Sequence, residues 1–133
     1  MRIDGGCHCG AITFEADMDP DGVYVCNCTD CQVLSGSPYR IVIVVEADKV
    51  TLSGEPKIYM KTAESGRPRE QTFCGECGAP IYSRGVGADA GMMALRWGLV
   101  TQRHDIKPVR KAWCRSEAPW LDELVRLPGN ETA

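Results

Sequence analysis

A mainly β fold with one or two brief helical turns is predicted by three features of the chain. Short runs of β-branched and aromatic residues recur along its length, clusters such as Asp19-Pro20-Asp21-Gly22 and Gly54-Glu55-Pro56 separate them, and helix-like spacing of apolar side chains is confined to the C-terminal region. The predicted domain is a single unit over residues 1–133, because that length suits one ordinary domain and leaves no room for a second core.

Taken in order, residues 11–16 alternate well enough for a strand. Val23-Tyr24-Val25 forms a second strand that runs directly into Cys26. A short helical turn fits residues 32–37 before Ser35-Gly36-Ser37 breaks it. Residues 39–45 are apolar and β-branched, the pattern of a buried central strand. Residues 50–54 and 57–61 are further strands. Residues 67–73 enter Cys74-Gly75-Glu76-Cys77 and residues 80–83 leave it, which sets that cysteine pair at a hairpin tip. Residues 92–97 and 109–113 supply two more strands, and residues 119–125 form a closing helix with Pro119 near its start. The expectation is about six to nine short strands.

Composition excludes several function classes. Fifteen basic residues are scattered among eighteen acidic ones with a net charge of −3, so no basic face is available for nucleic acid. Nothing approaches a transmembrane span, and Met1-Arg2-Ile3-Asp4-Gly5-Gly6 lacks the apolar stretch of a secretory signal. A cytoplasmic location is therefore expected, and in a reducing compartment clustered cysteines serve as metal ligands or redox groups more often than as disulfides. A domain of this size also gains from a metal staple.

Seven of the eight cysteines are clustered, as Cys7-His8-Cys9, as Cys26-Asn27-Cys28-Thr29-Asp30-Cys31 and as Cys74-Gly75-Glu76-Cys77, with Cys114 alone. Cys74-x-x-Cys77-Gly78 suits a tight knuckle that directs two thiolates at one tetrahedral ion. In an extended segment Cys7 and Cys9 share a face and can reach the same ion. Two alternatives fit less well: a disulfide framework needs a secretory context, and a thioredoxin-like site opens a helix, whereas Gly78-Ala79-Pro80-Ile81-Tyr82 reads as turn and strand. Seven ligands are one short of two closed tetrahedral sites, which suggests one structural site of four and one open site of three. Spacing leaves open which pairs share an ion. It also leaves open an eighth ligand from His8, His104 or Cys114, although alternation turns His8 away from its neighbours, His104 reads as a solvated loop residue and Cys114 as a buried free thiol.

At this point the sequence resembles the glutathione-dependent formaldehyde-activating enzyme family, which includes the centromere protein V domain. The resemblance rests on Gly6-Cys7-His8-Cys9-Gly10, on Cys26-x-Cys28-x-x-Cys31 followed by Ser35-Gly36, on Phe73-Cys74-x-x-Cys77-Gly78, and on Gly98-Leu99 through Ala118-Pro119-Trp120. It implies a β-tent fold of antiparallel sheets around a structural zinc held by Cys7, Cys9, Cys74 and Cys77. It implies a second, catalytic zinc on Cys26, Cys28 and Cys31. The implied activity is of the carbon–sulfur lyase type, resembling S-(hydroxymethyl)glutathione synthase, with a small thiol such as glutathione as partner and formaldehyde as co-substrate. Asn27 departs from the family pattern, standing where relatives often carry His. Arg40, Arg67, Arg84 and Arg96 are candidates to pair with substrate carboxylates, each with solvated surface charge as the simpler reading. Two other function classes fit the cysteine pattern: a non-catalytic zinc module that binds another protein, and a redox or metal-sensing protein built on the three-cysteine cluster.

Overall fold

A computed structural model describes residues 1–133, and its ten strands form two sheets. The smaller sheet begins with an antiparallel hairpin of Arg2–Gly6 (β1) and Thr13–Asp17 (β2), and Val50–Ser53 (β5) pairs with the free edge of β2. Ile3, Phe14 and Ala16 are buried while Asp4, Thr13, Glu15 and Asp17 are exposed, the two-residue alternation of a sheet with one wet face.

The larger sheet has seven strands: Val23–Cys26 (β3), Arg40–Glu46 (β4), Lys57–Thr62 (β6), Pro68–Phe73 (β7), Pro80–Gly85 (β8), Met92–Arg96 (β9) and Arg110–Ala112 (β10). Their spatial order is β10-β3-β4-β9-β8-β7-β6. All neighbours run antiparallel except β10, which lies parallel to β3 along one edge. The central strands β4 and β9 are covered on both faces, so their sequences are nearly continuous in buried residues. One face presents Ile43, Val45, Met93 and Leu95 to Ile3, Phe14 and Ala16 of the smaller sheet, and together they form the main apolar core. The other face carries Tyr24, Cys26, Arg40, Val42, Ala94 and Arg96. The register places these together, setting Cys26 opposite Arg40, Tyr24 opposite Val42, and Val42 opposite Arg96.

One α-helix, Thr29–Ser35 (α1), follows β3 across a two-residue step. It starts earlier than the sequence suggests because Cys28 acts as its N-cap, the Sγ accepting the Cys31 amide at 3.3 Å. It ends as expected at Gly36, in the left-handed region at φ 64°. Three other features depart from expectation. β1 lies outside the predicted strands, since its glycines hide the strand pattern. β10 makes one pairing parallel. The closing helix is a 3₁₀ segment, Leu121–Arg126, with Leu124 and Val125 exposed, so its apolar residues never engage the core. No helix is long and apolar enough to cross a membrane.

The loop after β9 closes the smaller sheet. Thr101 donates its backbone amide to the Asp4 carbonyl at 2.9 Å and its hydroxyl to the Asp4 carboxylate at 2.7 Å, while Gly5 bridges Val100. A Cβ on Gly5 would sit 2.2 Å from the Leu99 carbonyl oxygen and 2.9 Å from the Phe14 ring. Gly5→Ala is therefore expected to destabilise the fold by about 2–3 kcal/mol, the upper part of the overpacking range, because a backbone atom stands in the way. Equilibrium urea unfolding measures this, and a loss below about 0.5 kcal/mol would show that the loop yields freely.

Candidate metal centres

Two hairpin loops, one from each sheet, bring four cysteines together. In the β1–β2 loop the Cys7 amide donates to the Ile12 carbonyl at 2.9 Å and the Cys7 carbonyl accepts from Gly10 at 3.1 Å. The β7–β8 loop repeats the device: the Cys74 amide donates to Ala79 and the Cys74 carbonyl accepts from Gly78, both at 2.9 Å. Gly10 and Gly78 have φ of 80° and 78°, so each knuckle closes on a residue that needs no Cβ. A bulge between Gln71 and Phe73 precedes the second knuckle, and there the buried Thr72 hydroxyl donates to the Tyr82 carbonyl and accepts the Tyr82 amide, at 2.9 and 3.0 Å.

The four sulfurs of Cys7, Cys9, Cys74 and Cys77 all lie within 4.8 Å of one another. Cys7 to Cys9 is 3.6 Å and Cys9 to Cys74 is 3.7 Å. A tetrahedron with metal–sulfur bonds of about 2.3 Å has edges of about 3.8 Å, so this donor set fits a closed tetrathiolate site. Cys74 is 1% exposed and Cys7 is buried against the core, while Cys9 faces solvent. Backbone amides supply positive charge to the cluster. Those of Ala79 and Cys9 hold the Cys77 thiol down to about 6. Burial opposes ionisation of Cys7, but the Ile12 amide at 3.3 Å and the Cys9 and Cys74 thiols outweigh it and lower its pKa. The Ala11 amide favours the Cys9 thiolate, yet desolvation and the three neighbouring sulfurs push that thiol up to about 12.

A second cluster unites Cys26, Cys28 and Cys31, whose sulfurs also lie within 4.8 Å of one another. Cys26 ends β3, Cys28 caps α1 and Cys31 stands in its first turn, so a strand-to-helix junction supplies all three. A hydrogen bond from Cys31 and the amide and thiol of Cys28 hold Cys26 down to about 5, and the Arg40 guanidinium assists. Cys31 is pushed up by its bond to Cys26, by burial and by the charge of the other two sulfurs. Gln32 fixes the junction by donating to the carbonyls of Asn27 and Ser116, both at 2.9 Å. Asn27 is 0% exposed, its side-chain amide donating to the Ala112 carbonyl of β10 at 3.2 Å.

No eighth ligand joins either cluster. His8 and His104 are exposed, and His104 lies edge-on to Trp97. Cys114, expected to be a buried thiol, is exposed: it opens a 3₁₀ turn, Cys114–Ser116, that follows Trp113 in the left-handed region at φ 57° and has no buried residue. The three-cysteine cluster instead borders a cavity of about 270 Å³ lined by Cys31 with Tyr24, Arg40, Arg69, Gln71 and Arg96. Burial, then the charges of Cys26 and Cys31, raise the Tyr24 pKa. Two of the four arginines singled out in the sequence are therefore not surface charges: Arg40 and Arg96 are 6% and 7% exposed. Burial and the neighbouring Arg40 lower the Arg96 pKa to about 9. Arg67 is exposed near Asp89, and Arg84 is paired with Glu70 at 2.7 Å. Tyr24, Arg69 and Gln71 were invisible as site residues in the sequence. The signal that finds them is register, since Gln71 reaches Ala94 through Ser83 across β8.

The tetrathiolate geometry yields a prediction from its most exposed member. With no ion present, Cys9→Ser exchanges one solvated group for another and should change stability by no more than about 0.5 kcal/mol. If the cluster holds a metal that ties the sheets together, the loss should be several kcal/mol out of the roughly 10 that a structural site contributes. Thermal unfolding with metal analysis before and after distinguishes the two.

Comparisons with known proteins bear on these arrangements. The family model described as glutathione-dependent formaldehyde-activating enzyme matches residues 2–116, which contain both clusters and every strand. A relative from Halomonas elongata, described as a putative glutathione-dependent formaldehyde-activating enzyme, is 29% identical over 87 residues. That alignment covers 62% of this chain and 55% of the relative, so the chain spans about half the length of the curated protein it matches. A crystal structure of a Rhodobacter sphaeroides protein superposes with a TM-score of 0.62 at 16% identity, covering 82% of this chain and 99% of that one, and shows the same fold. With the expected mainly β architecture in place and the family pattern matched from β1 to the segment after β10, this chain belongs to the glutathione-dependent formaldehyde-activating enzyme family.

Proposed function

We propose that the protein joins formaldehyde to the thiol of glutathione to give S-hydroxymethylglutathione, and that it uses two zinc ions per chain. One ion is structural and held by Cys7, Cys9, Cys74 and Cys77; the other is catalytic and held by Cys26, Cys28 and Cys31. The observation that carries this reading is the contrast between the clusters: one closes on four sulfurs at a core edge, the other offers three and borders a cavity. A three-ligand site leaves room for a small molecule, whereas a purely structural knuckle needs neither the missing ligand nor the cavity. This favours the enzyme over the binding-module alternative.

In the reaction the thiol sulfur adds to the aldehyde carbon, an S–C bond forms, the C=O π bond breaks, and the thiol proton ends on the new hydroxyl oxygen. Nothing is oxidised or reduced. The reverse reaction is the lyase direction. Zinc supplies positive charge that favours the thiolate over the thiol or polarises the aldehyde oxygen. The chain's own part is to hold the three sulfurs at a rigid junction, through the Cys28 cap and the two Gln32 hydrogen bonds, and to shield the reactants beside Tyr24 and Gln71.

Elemental mass spectrometry on protein purified without chelator should give about two zinc per chain. Cys28→Ser should retain the fold, lose one zinc and slow enzyme-dependent exchange between formaldehyde and glutathione, read by NMR exchange spectroscopy, by about 100-fold or more. A variant that exchanges at the wild-type rate would overturn the catalytic assignment.

A further inference from the structure

Buried guanidinium groups are expensive unless they are paired, and several far more exposed arginines of this chain do have a partner. Arg2, Arg67, Arg84 and Arg115 each have a carboxylate within ion-pairing distance. Arg40 and Arg96, the two most deeply buried cations, have none. Arg96 donates Nη2 to the Gln71 side-chain oxygen at 2.9 Å, and its Nε is buried without a partner. Arg40 makes no ion pair, and Arg69, which lines the same cavity, makes none either. The one carboxylate on the cavity wall, Asp30, is already bound by Lys61.

The cysteines do not balance this charge. Three thiolates around one divalent ion sum to −1, which offsets one of the three guanidinium groups and leaves a surplus of two positive charges around the cavity. The backbone also holds Arg40 and Arg96 close, since Arg40 stands two residues before Val42, whose partner across the β4–β9 ladder is Arg96. Both arise from central strands, so the pair is fixed rather than adaptable.

We infer that Arg40 and Arg96, with Arg69 beside them, form an anion subsite that receives carboxylate groups of the incoming thiol, so that the cavity selects thiols bearing carboxylates over neutral ones. The planar fork of each guanidinium suits bidentate carboxylate recognition, and the burial of Arg40 and Arg96 strengthens it. The identity of the bound molecule as a thiol rests on the function proposed above; the anion subsite does not.

Calorimetric titration of the zinc-loaded protein with glutathione and with glutathione diethyl ester tests the inference. Wild type should bind the free acid about tenfold or more tightly than the ester. Arg40→Gln and Arg96→Gln should bring the two ligands to within about threefold, while the exposed control Arg67→Gln keeps the wild-type ratio. An unchanged acid-to-ester ratio in Arg40→Gln and Arg96→Gln would overturn the subsite, even if the glutathione reaction persists. Should those variants not fold, wild-type protein alone decides: succinate, but not diethyl succinate, should raise the melting temperature, and no rise with either would overturn the subsite. Succinate binding that depends on both arginines in a protein that ignores glutathione would uphold the subsite and remove glutathione as the substrate.

Discussion

The meeting of four sulfurs at the tips of two hairpins is the constraint on which the rest of this structure depends. One hairpin belongs to the three-stranded sheet and the other to the seven-stranded sheet, so the cluster is where the two layers are tied at one end. Cys7 and Cys74 are at once members of the sulfur cluster and of the main apolar core. Burial of apolar area pulls the sheets together but is indifferent to their angle, whereas a tetrahedral site accepts only a narrow geometry. The core provides the adhesion and the sulfurs provide the alignment. Along β1, the Asp4 contacts to Thr101 and Gln102 tie the smaller sheet to the loop after β9 by hydrogen bonds to its carboxylate.

With the smaller sheet fixed on one face of β4 and β9, the alternate residues of those strands are committed to the other face. This accounts for their unusual content. Val42 and Ala94 give the outer face a small apolar floor, and Arg40 and Arg96 rise from it beside Cys26 and Cys31. Charged groups in central strands oppose folding unless something offsets their desolvation. Their retention at rigid positions next to a three-sulfur cluster follows the common trade in which a site gives up stability for preorganised charge.

Much of the fold was legible because turns and β-branched runs are local signals. The strand β4 and the hairpin that carries Cys74 and Cys77 appear nearly where periodicity puts them. β1 escaped because Gly5 and Gly6 replace strand formers; Gly5 is required by the approach of the Leu99 carbonyl, a tertiary cause with no local trace. The start of α1 was missed because a cysteine served as its cap in place of the usual Ser, Thr, Asp or Asn. The cysteine clusters themselves were legible as donors, and their grouping needed either the family pattern or the fold. The arginines show the limit most clearly: the apolar run after Arg40 marks a buried strand, but alternation alone does not say which face of it is covered or that Arg96 lies beside it. Only the register across three strands shows which charges are buried together.

The two knuckles also bear on how the chain reaches its native state. Cys9 and Cys74 are 65 positions apart, so gathering four independent thiols would require closing a long loop before any bond rewards it. Each hairpin instead forms from neighbouring residues, and its glycine and amide contacts set two sulfurs in place in advance. Assembly then becomes an encounter of two bidentate claws, with most of the entropic cost met locally on the timescale of hairpin closure. The rate of the final step is set by a single long-range event, the meeting of two preformed sulfur pairs.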